Sequence, residues 1–303
     1  MSSNPTSAST STSPRGKSPA AAPSDALPVI DVIPVAVSTL PTPPSKVAWI
    51  TGGGSGIGAA VAKQLANEGW QVAISGRRPD KLQAVADFAP DHIHPYVLDV
   101  TDAALNLAVA AQIHERFGRI DYALLNAGDF FPFAAPDWDA DKFRQTIEVN
   151  LMGVVNGISA LMPLLQAQEL QDGGLENSGG NNRGHIAIVA SVAGYVGLPS
   201  SSAYGASKAA LINMAEALRV ELEPLTIKIQ LICPGFIETP MTDRNQFAMP
   251  FIISADKAAA RIVAGIASNR FEITMPRRFT WLLKFLRLLP YPLLFPITRL
   301  LRH

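Results

Sequence analysis

Tyr204 and Lys208 stand four residues apart in the stretch Ser202-Ala203-Tyr204-Gly205-Ala206-Ser207-Lys208, a spacing that puts phenol and ammonium on one face of a helix. A free phenol ionises near pH ~10, too high for proton transfer at neutral pH, and a cation held beside the phenolate draws the group toward working range. On their own, a tyrosine and a lysine at this spacing are usually a surface coincidence. Two further features set this pair apart: a hydroxyl at Ser191, at the end of the apolar run His185 to Ala190, and a glycine-rich stretch from Thr51 to Gly58.

That stretch reads Thr51-Gly52-Gly53-Gly54-Ser55-Gly56-Ile57-Gly58, preceded by Val47-Ala48-Trp49-Ile50 and followed by a helical pattern from Ala59 to Glu68 that stops at Gly69. Strand, tight turn and helix follow one another. Glycine lets a backbone approach phosphate closely, and the unpaired amides at the next helix start attract anionic oxygens. The strand Val72 to Ser75 comes where a βαβ unit requires it.

The elements that must hold these residues alternate, short β-branched runs with longer helical stretches, from Lys46 to about Pro276. The candidate strands are Val47–Ile50, Val72–Ser75, His94–Leu98, Tyr122–Asn126, His185–Ala190, Ile227–Ile232 and Phe271–Met275. This pattern predicts an α/β fold, a Rossmann-type doubly wound sandwich around a seven-stranded parallel sheet. Ligands in such sheets lie beyond the carboxyl ends of the strands, which is where the suspicious residues fall. The Gly- and Asn-rich segment 168–184 reads as a surface insertion.

Composition narrows the function. The 303 residues are 48% apolar and 17% charged, with zero formal net charge, which suits one large core and argues against a nucleic-acid binder working through an overall field. The single cysteine, Cys233, excludes an intramolecular disulfide and reads as a small buried hydrophobe. His92, His94, His114 and His185 have no metal-ligand spacing and His303 is terminal, so no metal is assigned. Asp137, Asp139 and Asp141 form a short cluster before a helix that reads as capping and solvation rather than catalysis. Residues 1–44, rich in Ser, Thr and Pro, read as a disordered arm without a secretory signal, and the expected location is cytoplasmic.

In sequence order, the motifs resemble the short-chain dehydrogenase/reductase superfamily over Lys46 to Pro276. The resemblance rests on Thr51-Gly52 through Gly56 and Gly58, Asp99-Val100, Asn126-Ala127-Gly128, Asn150, Ser191, Tyr204 with Lys208, and Pro234-Gly235 leading to Thr239. It implies a hydride transfer between a nicotinamide cofactor and a carbonyl or alcohol. Tyr204 would be the general acid/base, Ser191 would bind the reacting oxygen, and Lys208 would tune the phenol and hold ribose hydroxyls. Asn150 would hold a water leading to Lys208. The cofactor contacts it implies are Gly52, Ser55, Gly56, Ile57, Gly58, Asp99, Val100, Asn126, Ala127, Gly128, Tyr204, Lys208, Pro234, Gly235, Ile237 and Thr239. A homodimer or homotetramer is implied as well.

No acidic side chain follows the second strand, where one would bind an adenosine ribose and repel phosphate. Arg77 and Arg78 stand there instead, and with Ser55 they point to NADP over NAD. Aromatic residues after the fourth and sixth strands, Phe130, Phe131 and Phe133, then Phe236, Phe247 and Phe251, suggest a hydrophobic small-molecule substrate contacting Phe130, Phe236 and Ser191. The tail 277–303 pairs a basic strip, Lys284 and Arg287, with apolar Trp281, Leu282, Phe285, Leu286 and Leu289. Its prolines preclude a spanning helix, leaving two readings open: peripheral membrane contact, or a cap over the cleft or a subunit interface. The competing function is a non-catalytic nucleotide-binding or membrane-scaffold protein on the same fold.

Overall fold

A computed structural model of the protein describes residues 46–133, 135–170, 182–244 and 249–300. The arm 1–44, most of the 168–184 segment and Phe247 lie outside the described residues. The first half of the chain builds β1 (Val47–Thr51), α1 (Gly56–Asn67), β2 (Gln71–Gly76), α2 (Pro79–Ala86), β3 (Ile93–Val97), α3 (Ala103–Phe117) and β4 (Tyr122–Leu125). The second half builds α4 (Ala140–Ile147), α5 (Gly153–Ala167), β5 (Gly184–Val189), α6 (Ser202–Glu221) and β6 (Ile227–Pro234). It continues through β7 (Ile237–Glu238), β8 (Ile253–Ser254), α7 (Ala255–Ile266), β9 (Glu272–Met275), α8 (Arg277–Arg287) and α9 (Tyr291–Arg299).

Seven strands form one sheet in the order β3-β2-β1-β4-β5-β6-β9, with every pairing parallel. The strands are covered on both faces, so β1, β4 and β5 are buried along their full length, as their unbroken apolar runs require. Trp49 is completely buried in β1, and its indole Nε1 donates to Ser75 Oγ at 2.9 Å, satisfying its one polar atom. Helix starts follow local chemistry. Asp102 caps α3 by accepting from the Leu105 amide, and Asp139 caps α4 through the Asp141 and Lys142 amides, the one member of that acidic cluster to take the capping role.

The sheet has its topological switch between β1 and β4, because the chain winds outward from β1 to β3 and then returns to β1's other side. A crevice opens above such a point. Two features were not foreseen. The short parallel pair β7 and β8 closes the loop after β6, with Ile237 opposite Ile253. A single π-helical turn, Glu148–Met152, separates α4 from α5. The resulting run Ala140–Ala167 has the length and apolarity of a membrane span, yet it carries buried Asn150 and packs in the sandwich against α3 and α6.

Two buried histidines make the fold sensitive to acid. Burial lowers His94 to about 3, and lowers His185 well below its usual value. Both stay neutral in the folded protein while the unfolded chain takes up protons below its ordinary histidine pKa of ~6.5. Stability is therefore full above that value and declines as pH falls toward ~3. Neither ring nitrogen of His185 has a hydrogen-bond partner, and the ring meets Tyr122 edge-on at 4.9 Å. His185→Phe is expected to leave stability at pH 7 unchanged or raise it by about 1–2 kcal/mol, and to shrink the loss between pH 7 and 5. Urea melts of both proteins at the two pH values test this, and a more steeply acid-sensitive variant refutes it.

Candidate active site

The glycine turn is shaped by steric necessity. Gly52 and Gly56 adopt φ of +68° and +54°, in the left-handed region that side chains disfavour. A Cβ on Gly52 would lie 2.8 Å from Asn126 Nδ2, one on Gly56 would lie 2.9 Å from Thr239 Cγ2, and one on Gly58 would meet the Gly52 carbonyl oxygen at 2.4 Å. The turn thus packs directly against the loops after β4 and β6. Thr51 Oγ1 at the end of β1 locks the arrangement, accepting from the Asn126 and Ala127 amides at 3.0 and 3.1 Å. Asn126 Nδ2 returns a bond to the Thr51 carbonyl at 3.0 Å.

Above this turn lies a cavity of about 490 Å³ that runs from Gly52, Ser55, Arg77 and Arg78 to Ser191, Tyr204 and Lys208. Ile57, Asp99, Val100, Asn126, Ala127, Gly128, Pro234, Gly235, Ile237 and Thr239 also line it. The elements come together because the strand ends converge here and each loop contributes its first residues. Of the residues singled out in the sequence, Gly58, Asn150, Phe130 and Phe236 are not on its wall. Gly58 packs beneath the turn. Lining residues not picked out earlier include Lys81, Leu98, Val149, Met241 and Thr242. Lys81 lies in the first turn of α2, three residues beyond its N-cap Arg78, and its nearness in sequence to the Arg77–Arg78 pair was the one signal available for it.

Ser191 lies two residues beyond β5 with extended backbone, and its Oγ accepts from the Ala193 amide at 3.2 Å. The same hydroxyl lies 3.4 Å from the Pro234 carbonyl oxygen. Tyr204 and Lys208 lie in the first turns of α6, and Tyr204 hydrogen-bonds to Ser191. Lys208 is buried, its Nζ donating to the Val189 carbonyl at 2.9 Å and sitting 5.6 Å from the Tyr204 ring centre. Burial pulls Lys208 down to about 8, which leaves it charged at neutral pH. For Tyr204, burial raises the phenol above its ordinary value and the Ser191 hydrogen bond lowers it. The expectation that the neighbouring ammonium would bring the phenol down thus meets an opposing cost, the removal of a phenolate from water, which is the largest contribution.

Asn150 is aimed inward by the π turn, and such turns recur at functional sites. Its Oδ1 accepts from the Asp129 amide at 2.7 Å, and its Nδ2 donates to the Asp129 carbonyl at 2.9 Å and to Ser207 Oγ at 3.2 Å. The side chain holds the Gly128–Asp129 backbone to α6. A Cβ on Gly128 would lie 3.1 Å from Asn150 Oδ1 and 3.6 Å from Lys208 Nζ, so the glycine leaves these two groups facing one small space.

At the outer end, Arg77 lies 3.9 Å from Asp129 and remains 58% exposed, and Arg78 is exposed. At the opposite end, Phe130 meets the Tyr204 ring edge-on at 5.3 Å, while Phe236 stacks on Phe279 of α8 at 5.7 Å. Behind Ser191, Tyr195 donates to Glu272, whose second oxygen takes Lys284 of α8. The tail is therefore tied to the loop that follows Ser191. Cys233 is buried as expected, with its thiol pushed up to about 12 by burial. It is not a nucleophile at neutral pH.

The cradle fits a dinucleotide: left-handed glycines, helix-start amides, polar residues along the wall and cations at one end are what a pyrophosphate and a ribose phosphate need. Residues 46–248 match the short chain dehydrogenase family. An uncharacterized oxidoreductase of Myxococcus xanthus is 32% identical over 260 residues, covering 85% of this chain and 98% of its own. The 3-oxoacyl-[acyl-carrier-protein] reductase FabG of Thermotoga maritima is 36% identical over 66% of this chain and 77% of its own. A short-chain dehydrogenase/reductase of Burkholderia phymatum, solved in complex with NAD, is 26% identical with a TM-score of 0.68 over 79% of this chain and 92% of its own. Matching motifs, sheet order and relatives agree, and the chain belongs to the short-chain dehydrogenase/reductase family, as an NAD(P)-dependent oxidoreductase.

Proposed function

We propose that the protein interconverts a hydrophobic ketone or aldehyde and its alcohol with NADPH or NADP, using Tyr204 as general acid and base. The observation that carries this reading is the sharing of one cavity by Ser191, Tyr204, Lys208, the glycine turn and the Arg77–Arg78 pair. The bound nicotinamide supplies or accepts the hydride. Ser191 donates a hydrogen bond to the substrate oxygen and stabilises the charge that grows there. Tyr204 gives its proton to that oxygen in reduction and takes it back in oxidation. Lys208, anchored on the Val189 carbonyl, directs its remaining N–H donors to ribose hydroxyls and keeps positive charge beside the phenol. Asn150 fixes the loop that borders Lys208, and it would hold the proton-carrying water that leads to the ammonium.

Preference for NADP follows from charge. Arg77, Arg78 and Lys81 line the outer end of the cavity, and a guanidinium pair binds phosphate in two-pronged fashion. Substrate class follows from the aromatic rings of Phe130 and Phe236 beside the inner end. The reading also includes a homodimer or homotetramer and a peripheral contact of the tail 277–303 with a membrane surface. NADPH consumption, followed by absorbance across long-chain and short polar ketones, tests the substrate class. Turnover of the long-chain set is expected to exceed that of the polar set about tenfold or more, since each buried methylene contributes ~0.8 kcal/mol. Preference for the polar ketones refutes it.

A further inference from the structure

Nine of the seventeen exposed large hydrophobic side chains among the described residues lie between Trp281 and Leu300. On α8 they follow a helical face. Trp281, Leu282, Phe285 and Leu288 point outward at 71, 52, 60 and 81% exposure, while Thr280, Leu283 and Leu286 are buried on the opposite side. A helix that must pack on the body needs only the second face. In α9 only Leu294 is buried, and Tyr291 stacks on Phe295 at 5.3 Å in the open. So much contiguous apolar surface marks a docking face rather than ordinary surface.

Charge indicates what docks there. From residue 273 to the end the sequence has no Asp or Glu, and Arg277, Arg278, Arg287 and Arg299 are exposed beside the apolar face. Lys284 is already held by Glu272. Apolar surface beside arginines that pair with no acidic side chain among the described residues complements an anionic lipid headgroup layer over hydrocarbon. With 11 residues in α8 and 9 in α9, each helix is roughly 13–17 Å long and is separated from the other by Pro290. Neither crosses ~30 Å of hydrocarbon, so the pair lies in the plane of the surface.

The same helix reaches the cleft. Phe279, between the two exposed arginines and Trp281, stacks on Phe236 and meets Phe251 at 6.2 Å. Phe251 is 55% exposed and adopts φ of +61°, a conformation rare for a bulky side chain. A Cβ on the cavity-lining Gly235 would lie 3.0 Å from the Phe279 ring. The wall of the substrate end and the apolar outer face are thus two sides of one element.

Resting on the proposed reductase function, we infer that α8 and α9 seat the enzyme on an anionic bilayer with the Phe236–Phe279–Phe251 cluster at the hydrocarbon boundary, so that a bilayer-dissolved carbonyl or alcohol lipid is loaded directly from the membrane. Its polar end then meets Tyr204 while its chain trails past the aromatic cluster.

The test uses the full chain with vesicles of phosphatidylcholine alone or with phosphatidylserine. Flotation and NADPH consumption are read in parallel, with 2-hexanone in solution and 2-nonadecanone dissolved in the vesicles. The wild type is expected to float with the serine-lipid vesicles, less so in high salt, and to turn over the dissolved long ketone at least tenfold faster on them than on neutral vesicles. Trp281→Glu with Phe285→Glu, two exposed changes that leave the packed face of α8 intact, is expected to abolish flotation and that tenfold gain while keeping the rate on 2-hexanone. Flotation unchanged by the double substitution overturns the proposal. So does a wild type that ignores both vesicles while the variant drops to a smaller oligomer on a sizing column, because the face then belongs to a second copy. Loss of all turnover with flotation intact places the failure in the proposed activity, since lipid docking is read without it.

Discussion

Tyr204→Phe is expected to lower kcat/KM for ketone reduction by about 10²–10⁴-fold, the range a positioned acid or base contributes, while NADPH binding changes less than threefold. The substitution keeps the aromatic ring against Phe130 and removes one hydroxyl, so its effect isolates the proton. Direction of reaction adds a second signature. Burial raises the phenol, so Tyr204 holds its proton at neutral pH and is ready as an acid. Oxidation needs the phenolate, and its rate is expected to climb as pH rises above 7. Lys208, brought to about 8 by burial, loses its charge over the same range and limits that climb. Stopped-flow absorbance of both directions across pH 6–10 reads both effects. Retained reduction by the variant, with NADPH bound, removes Tyr204 from the mechanism.

The second large effect is expected at the opposite end of the cavity. Converting Arg77 and Arg78 together to Asp replaces two guanidinium donors by two carboxylates where a ribose phosphate would sit. Hydrogen bonds involving charged groups contribute about 1.5–3 kcal/mol each, so the NADPH dissociation constant should rise by about 10²-fold or more. NADH lacks that phosphate and should change by less than about threefold. Arg77 is 58% exposed and its contact with Asp129 is a long one at 3.9 Å, so its loss costs the fold little, and the exposed Arg78 is free of core packing. Fluorescence titration with both dinucleotides measures the difference. Equal losses for the two cofactors refute the assignment.

Much of this was legible in the chain because local rules applied. The strands are buried on both faces and therefore read as apolar runs, and the glycine turn is recognisable because Gly52 and Gly56 need left-handed backbone. The expected seven strands all occur in the sheet, displaced by one or two residues at their ends. The π turn at Glu148–Met152 left no mark in the sequence, and the partners that Asn150 meets from it, Asp129 and Ser207, are brought together only by the fold. The tail shows the limit most clearly. Leu286 and Leu282 have the same side chain, yet one is 6% and the other 52% exposed, because only packing against β9 distinguishes one apolar face of α8 from the other.

The sequence alone determined the order of elements, the doubly wound fold and the identity of the groups that could move a proton, because periodicity, glycine and side-chain chemistry act over a few residues. Tertiary structure decided how those groups behave. The phenol is raised rather than lowered, because deep burial outweighs the Ser191 hydrogen bond. Asn150 spends its amide on a loop twenty-one residues away, and α8 reaches from the Ser191 loop to an open apolar surface. Each of these depends on which distant segments share a neighbourhood, and on the water their contact excludes.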